Sequence, residues 1–176
     1  MQVLAQGHGW ERWGLIPSEL RRLHALVAAT AAEGVVILSG DRHAGGVYRL
    51  AAGATGVGYD LVEVTASSLT HSYRTTAPDE PAGGEEAACG VREGPLVREN
   101  HFGTVEVDWA SRQLTLGLVA ADDCGLSDAC ACSCACACPA GEEQEAAMGC
   151  CAGAPDGAGQ TLRAITLSFE ELRPAL

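Results

Sequence analysis

The sequence contains no lysine, no apolar run of membrane-spanning length and no excess of positive charge. All eleven basic residues are arginine. With the abundance of Ala and Gly, that is the mark of a biased composition rather than of selection for bidentate anion binding. A net charge of −12 and a pI near 4.7 provide no long-range field to draw in nucleic acid or an anionic membrane surface. Divalent cations are the more natural charged partners. No stretch of about 18 apolar residues occurs, and Met1-Gln2-Val3-Leu4 is not a charged region followed by a long apolar one. No membrane span is expected, and nothing in the sequence points to one compartment.

A chain of 176 residues is one domain by size. The apolar fraction of 47% is weighted toward Ala and Cys, which bury little area each, so the core must come from a few short segments. Pro17 and Glu19, followed by Leu20, Leu23, Leu26 and Val27 at helical spacing, predict a helix over 17–32, stopped by Gly34. Val35-Val36-Ile37-Leu38 has no alternation and predicts a central strand buried on both faces. Tyr48-Arg49-Leu50 reads as a short strand or turn, and Tyr59–Thr65 as the next strand. Residues 75–94 are rich in Pro, Gly, Glu and Ala and predict an exposed loop. Thr104–Trp109 and Gln113–Leu118 alternate across a three-residue connection and predict an antiparallel hairpin, one face in and one out. Residues 121–160 form a Cys/Ala-rich, low-complexity insertion before a final strand at 161–169.

Chemistry concentrates at Ser39-Gly40-Asp41-Arg42-His43-Ala44-Gly45-Gly46, a polar, glycine-rich turn at the C-terminal end of a strand, where layered α/β folds build their sites. In an extended chain Asp41 and His43, two apart, lie on one side about 6–7 Å from each other and can reach one ion or a close ion pair. A carboxylate with an imidazole suits Fe, Mn or Zn better than a purely carboxylate cluster would.

The stretch Gly34–Gly46 resembles the last strand and metal loop of calcineurin-like metallophosphoesterases, the PhoD-like (alkaline phosphatase D) group in particular. Further segments resemble that group in the same order. Upstream are Trp13, Pro17 and the Glu19-x-x-Arg22-Leu23 helix; downstream are Tyr59–Leu69 and Glu99–Trp109. The resemblance implies an α/β fold, part of a four-layer αββα sandwich whose mixed sheet ends in antiparallel strands. It also implies metal-dependent hydrolysis of phosphate mono- or diesters. Asp41 and His43 would be metal ligands, His43 would lie at the catalytic site, and the ions would be Fe, Mn, Zn or Ca. The group's N-terminal metal motifs do not occur in this sequence. Residues 1–176 are accordingly expected to be the C-terminal portion of such a domain, a truncated or half-domain form whose partner is the missing N-terminal half and whose apolar faces are left uncovered.

Other candidates carry less. Asn100-His101-Phe102-Gly103 reads first as a turn with a packed Phe. His71 beside Ser67 and Ser68 lacks a nucleophile elbow. Trp10 and Trp13 read as anchors for the first helix more than as a site rim. Of nine cysteines, all but Cys89 fall between Cys124 and Cys151, with Cys130, Cys132, Cys134, Cys136 and Cys138 at alternate positions. The spacing resembles that of metallothioneins, and a thiol-rich metal-binding protein is the alternative function. A low-complexity expansion is the plainer account of that segment, and a non-catalytic remnant is the third possibility for the chain.

Overall fold

The computed structural model describes residues 1–72, 91–121 and 159–174. A 3-10 turn at Trp13–Leu15 precedes helix α1 (Pro17–Thr30); the order is then β1 (Val36–Ser39), β2 (Gly45–Leu50), a single helical turn α2 (Ala52–Thr55), β3 (Leu61–Thr65), β4 (Arg92–Val97), β5 (His101–Asp108), β6 (Gln113–Ala120) and β7 (Thr161–Ser168). The architecture is mixed α/β, mostly strands with few helices. One sheet runs β1-β3-β2-β4 and the other β5-β6-β7. Among the described strands only the β1–β3 pair is parallel; the other neighbours are antiparallel.

Pro17 at the first helical position brings a preset φ and no wasted N–H, and Glu19 in the first turn complements the helix dipole. Ala31 stops α1 by turning left-handed at φ 49°, so the helix ends ahead of the expected boundary at residue 32. Leu20, Leu23 and Val27 face the four-stranded sheet, joined by Val3, Leu4 and Ala5 of the N-terminal segment and by Trp13. Leu26 shares the helix but points to solvent. The opposite face of that sheet, through Val47, Val62, Val64 and Val97, packs on Leu114, Leu116, Leu118 and Leu167 of the second. The layer order is helix, sheet, sheet. Leu116 and Leu118 are essentially inaccessible, each contributing roughly 2–3 kcal/mol of burial.

Four expectations change. The Val35–Leu38 run forms an edge strand of its sheet, not a central one. Its apolar residues still answer to two faces, Ile37 toward the helix layer and Val36 toward the second sheet, but Leu38 is 61% exposed. The hairpin forms with its predicted connection, yet β6 is almost wholly buried while β5 is almost wholly exposed, because β6 is central and β5 is an edge. Tyr48-Arg49-Leu50 belongs to a six-residue strand that begins at Gly45. Residues 92–94, expected in a loop, open β4; that strand lies on the sheet edge, where Pro95 is tolerated. The rest of that loop, 75–90, lies outside the described residues.

Among the described residues β1 and β5 are edge strands, and Val36 of one and Val107 of the other meet at one cleft. Val105 and Val107 share the inward face with their partners Leu116 and Leu114 but remain half exposed. A cleft of about 430 Å³ runs between the edges, lined by Val36, Val107, Trp109, Leu114, Phe169 and Leu172. Among the described residues no helix is long and apolar enough to cross a membrane.

Candidate functional site

The parallel pairing of β1 with β3 brings two C-terminal strand ends together, Ser39 opposite Thr65 with their hydroxyl oxygens 2.8 Å apart. Two segments diverge from this point: the turn 40–44, and the stretch from Ala66 to His71. Asp41 (φ 82°) and His43 (φ 53°) both adopt the left-handed backbone region. For residues carrying a Cβ this costs roughly 1–2 kcal/mol each and persists only where the surroundings hold it. Ser67 does the holding: its Oγ accepts the Arg42 N–H at 3.0 Å and donates to the Ala44 carbonyl at 3.1 Å. From the other side Gln2 Nε2 donates to the Gly40 carbonyl at 3.0 Å.

The extended spacing of Asp41 and His43 is therefore not the one adopted. Left-handed residues on either side of Arg42 replace it, and both side chains line one open depression of about 330 Å³ with Gln2, Trp10, Glu11 and Arg42. The Asp41 side chain is 67% exposed, with the Met1 amino group 3.7 Å from its Oδ2. Arg42 turns inward and is buried, its guanidinium 3.4 Å from Tyr48 Oη. Trp13 packs on the core as an anchor, whereas Trp10 is exposed on the rim. His8 Nδ1 accepts the Trp10 N–H and shapes that rim.

Two residues join the site that the sequence did not place there. Glu11 adds a second carboxylate to the wall. His71 meets the His43 ring edge to face, centroids 4.9 Å apart and planes at 87°. The only signal in the sequence for His71 was its closeness to Ser67 and Ser68, which pointed to a nucleophile; Ser67 is instead the clamp of the turn.

His101 is fully buried beneath the turn. Its backbone N–H donates to the Ser68 carbonyl at 2.9 Å, and its Nδ1 lies 2.7 Å from the Glu99 carbonyl. Desolvation holds its pKa below the ordinary histidine value, the Glu99 carbonyl only partly offsetting it. A methyl group added at Gly45 would come within 2.7 Å of its Nε2 and 2.8 Å of Leu118 Cδ1, which requires a glycine here. Neither His101 nor Asn100 lines the depression.

Among the described residues no three or more His, Cys, Asp or Glu converge as a metal cluster. The donors come in pairs, Asp41 with His43 on one wall and His43 with His71. Carboxylate and imidazole are the donor types a first-row metal prefers, and they supply one side of a coordination sphere. All nine cysteines lie outside the described residues. Comparison with protein-family models, curated proteins and solved structures returned no match.

Proposed function

We propose that this chain supplies the C-terminal half of a PhoD-type metallophosphoesterase site, a metal-dependent hydrolase of phosphate esters, with Asp41 and His43 as its metal ligands. The observation that carries the reading is the turn 40–44. Two strained, non-glycine residues, an acid and an imidazole, are held at the end of a parallel strand pair and open onto one depression. Strain of this kind is retained where geometry matters for a site. The helix–sheet–sheet layering, with edge strands β1 and β5 meeting at one cleft, suits a half of a four-layer sandwich. A metal held by Asp41 and His43 would polarise a phosphoryl oxygen. The residues of this chain position it: Ser67 and Gln2 fix the turn, and Trp10 and Glu11 bound the space beside it.

The partner implied is a polypeptide that adds strands to the open edges of β1 and β5 and brings the remaining ligands. Hydrolysis of p-nitrophenyl phosphate and its bis-ester, with Fe, Mn, Zn or Ca, tests this for the full chain alone and with the N-terminal half of a PhoD-type domain added in trans. Metal-dependent turnover that rises on complementation, and falls at least about 100-fold in Asp41→Ala, is expected. No turnover with any metal in either format, or turnover indifferent to Asp41→Ala, overturns the assignment. Metal binding that disappears on cysteine alkylation, without turnover, would point to the thiol-rich alternative.

A further inference from the structure

We infer that His71 is a second imidazole ligand beside His43, and that the pair selects a borderline first-row cation such as Zn²⁺ or Co²⁺ over Ca²⁺ or Mg²⁺. This deepens the metal-site reading and rests on it for the role of His43. The two rings come from different segments, one from the turn after β1 and the other from the chain leaving β3, and the Ser67 clamp fixes those segments against each other. Their centroids are 4.9 Å apart. With metal–nitrogen bonds of about 2.05 Å and a ring centre about 1.1 Å farther, two imidazoles on one ion at 90–109° have centroids about 4.5–5.2 Å apart. The observed separation falls inside that interval. Nitrogen donors discriminate against the hard, oxygen-seeking Ca²⁺ and Mg²⁺.

The test uses the full chain with its cysteines alkylated by iodoacetamide and titrated with Co²⁺, read by its visible ligand-field bands. The absence of near-ultraviolet thiolate charge transfer verifies that cysteine does not contribute. His43→Ala and His71→Ala are each expected to weaken Co²⁺ binding by about tenfold or more, the chelate gain of a second donor, with the double variant little worse than either single one. Excess Ca²⁺ should displace almost no Co²⁺, whereas Zn²⁺ should displace it stoichiometrically. Unchanged circular dichroism in His71→Ala separates loss of a ligand from loss of fold. Wild-type affinity in His71→Ala, displacement by Ca²⁺, or no ligand-field bands at all overturns the inference. Wild-type affinity in His71→Ala alongside weak binding in His43→Ala leaves the Asp41–His43 site standing. Intact two-histidine binding without hydrolysis sinks the phosphoesterase reading alone.

Discussion

Glu63 offers the sharpest test of how the turn is held. It lies mid-strand in β3, is fully buried, and accepts three backbone hydrogen bonds: from Val3 N–H at 2.9 Å on Oε1, and from Leu4 at 2.5 Å and Ala5 at 3.2 Å on Oε2. The N-terminal segment so captured also carries Gln2, whose amide fixes the Gly40 carbonyl, and leads into the wall formed by Trp10 and Glu11. Glu63→Gln keeps the volume but replaces one acceptor oxygen with an amide that cannot accept, so at least one buried N–H loses its partner. A buried donor left unsatisfied costs about 1–3 kcal/mol, and the surviving bonds lose their charge assistance, so a total of roughly 2–4 kcal/mol is expected. Glu63→Ala orphans all three donors and should cost roughly 3–5 kcal/mol. Urea unfolding gives the magnitude, and amide hydrogen exchange gives the place. Protection of Val3, Leu4 and Ala5 should collapse in both variants before that of β6. If those amides keep wild-type protection, Glu63 is not what docks the segment and the account of the depression's wall is wrong.

Ser67→Ala removes both clamps on the turn and should lower stability by about 1–3 kcal/mol, with faster exchange at the Arg42 amide; unchanged exchange there would refute the clamp. Gly45→Ala forces a methyl group into His101 and Leu118 and should cost about 1–3 kcal/mol by denaturant unfolding, whereas a cost under about 0.5 would mean the strand yields freely. Stability should fall on acidification in two stages. His101 is harder to protonate folded than unfolded, so its contribution is complete above the ordinary histidine value of 6.5 and declines as pH drops below it. Asp108, lowered by the Ser111 side chain and by the Ser111 and Ala110 N–H groups, and Glu171, lowered by Ser168, lose theirs below their ordinary values of 3.8 and 4.5. Urea midpoints measured in steps from pH 8 to 3 should show both stages, and His101→Gln should reduce the first, leaving the part due to His24, whose pKa burial also lowers; a first stage unchanged in His101→Gln refutes the His101 contribution.

Much of the secondary structure could be read from the sequence because its signals are local. The helix stripe, the β5–β6 connection, β3 and β7 need only spacing and turn length. What could not be read depends on lateral neighbours. An unbroken aliphatic run such as Val35–Leu38 reports that two faces meet apolar surface and says nothing of whether a strand lies alongside. In β4, residues 92–94 fall at the end of a stretch whose Pro, Gly, Glu and Ala content reads as loop, while the strand itself sits at a sheet edge, where Pro95 is tolerated. Glu63 reads in the sequence only as one residue of the Tyr59–Thr65 strand, and the return of the N-terminal segment is what makes it a buried acceptor. At the site, the pairing of Asp41 with His43 was visible as a motif, but their left-handed backbone was not, since neither residue is glycine and the compensating bonds come from Ser67. Glu11 and His71 arrive from other segments, about thirty residues away on either side of the turn, and only tertiary contact gathers them.

The distribution of buried polar groups ties these observations together. Gln2, Arg42, Glu63, Thr65, Ser68 and His101 are all buried, and each touches the turn 40–44 or a segment that supports it. Burying polar groups costs stability unless each is hydrogen-bonded, and two atoms here, Ser68 Oγ and His101 Nε2, have no partner among the described residues. The opposite end of the sandwich, around Val36, Leu114, Phe169 and Leu172, combines apolar contact with exposed ion pairs, Arg173 with Glu33 and Arg112 with Glu170, and with the Gly34 N–H donated to the Leu172 carbonyl. Two of the four left-handed non-glycine residues among the described residues, Asp41 and His43, gather at the same strand ends as Ser68 and His101. Such a concentration follows if the turn must keep one shape in the absence of its ligand, because a site held in advance does not spend binding energy on ordering itself. In the proposed site, the second half would then need to bring only the remaining donors, not the force that sets Asp41 and His43 in place.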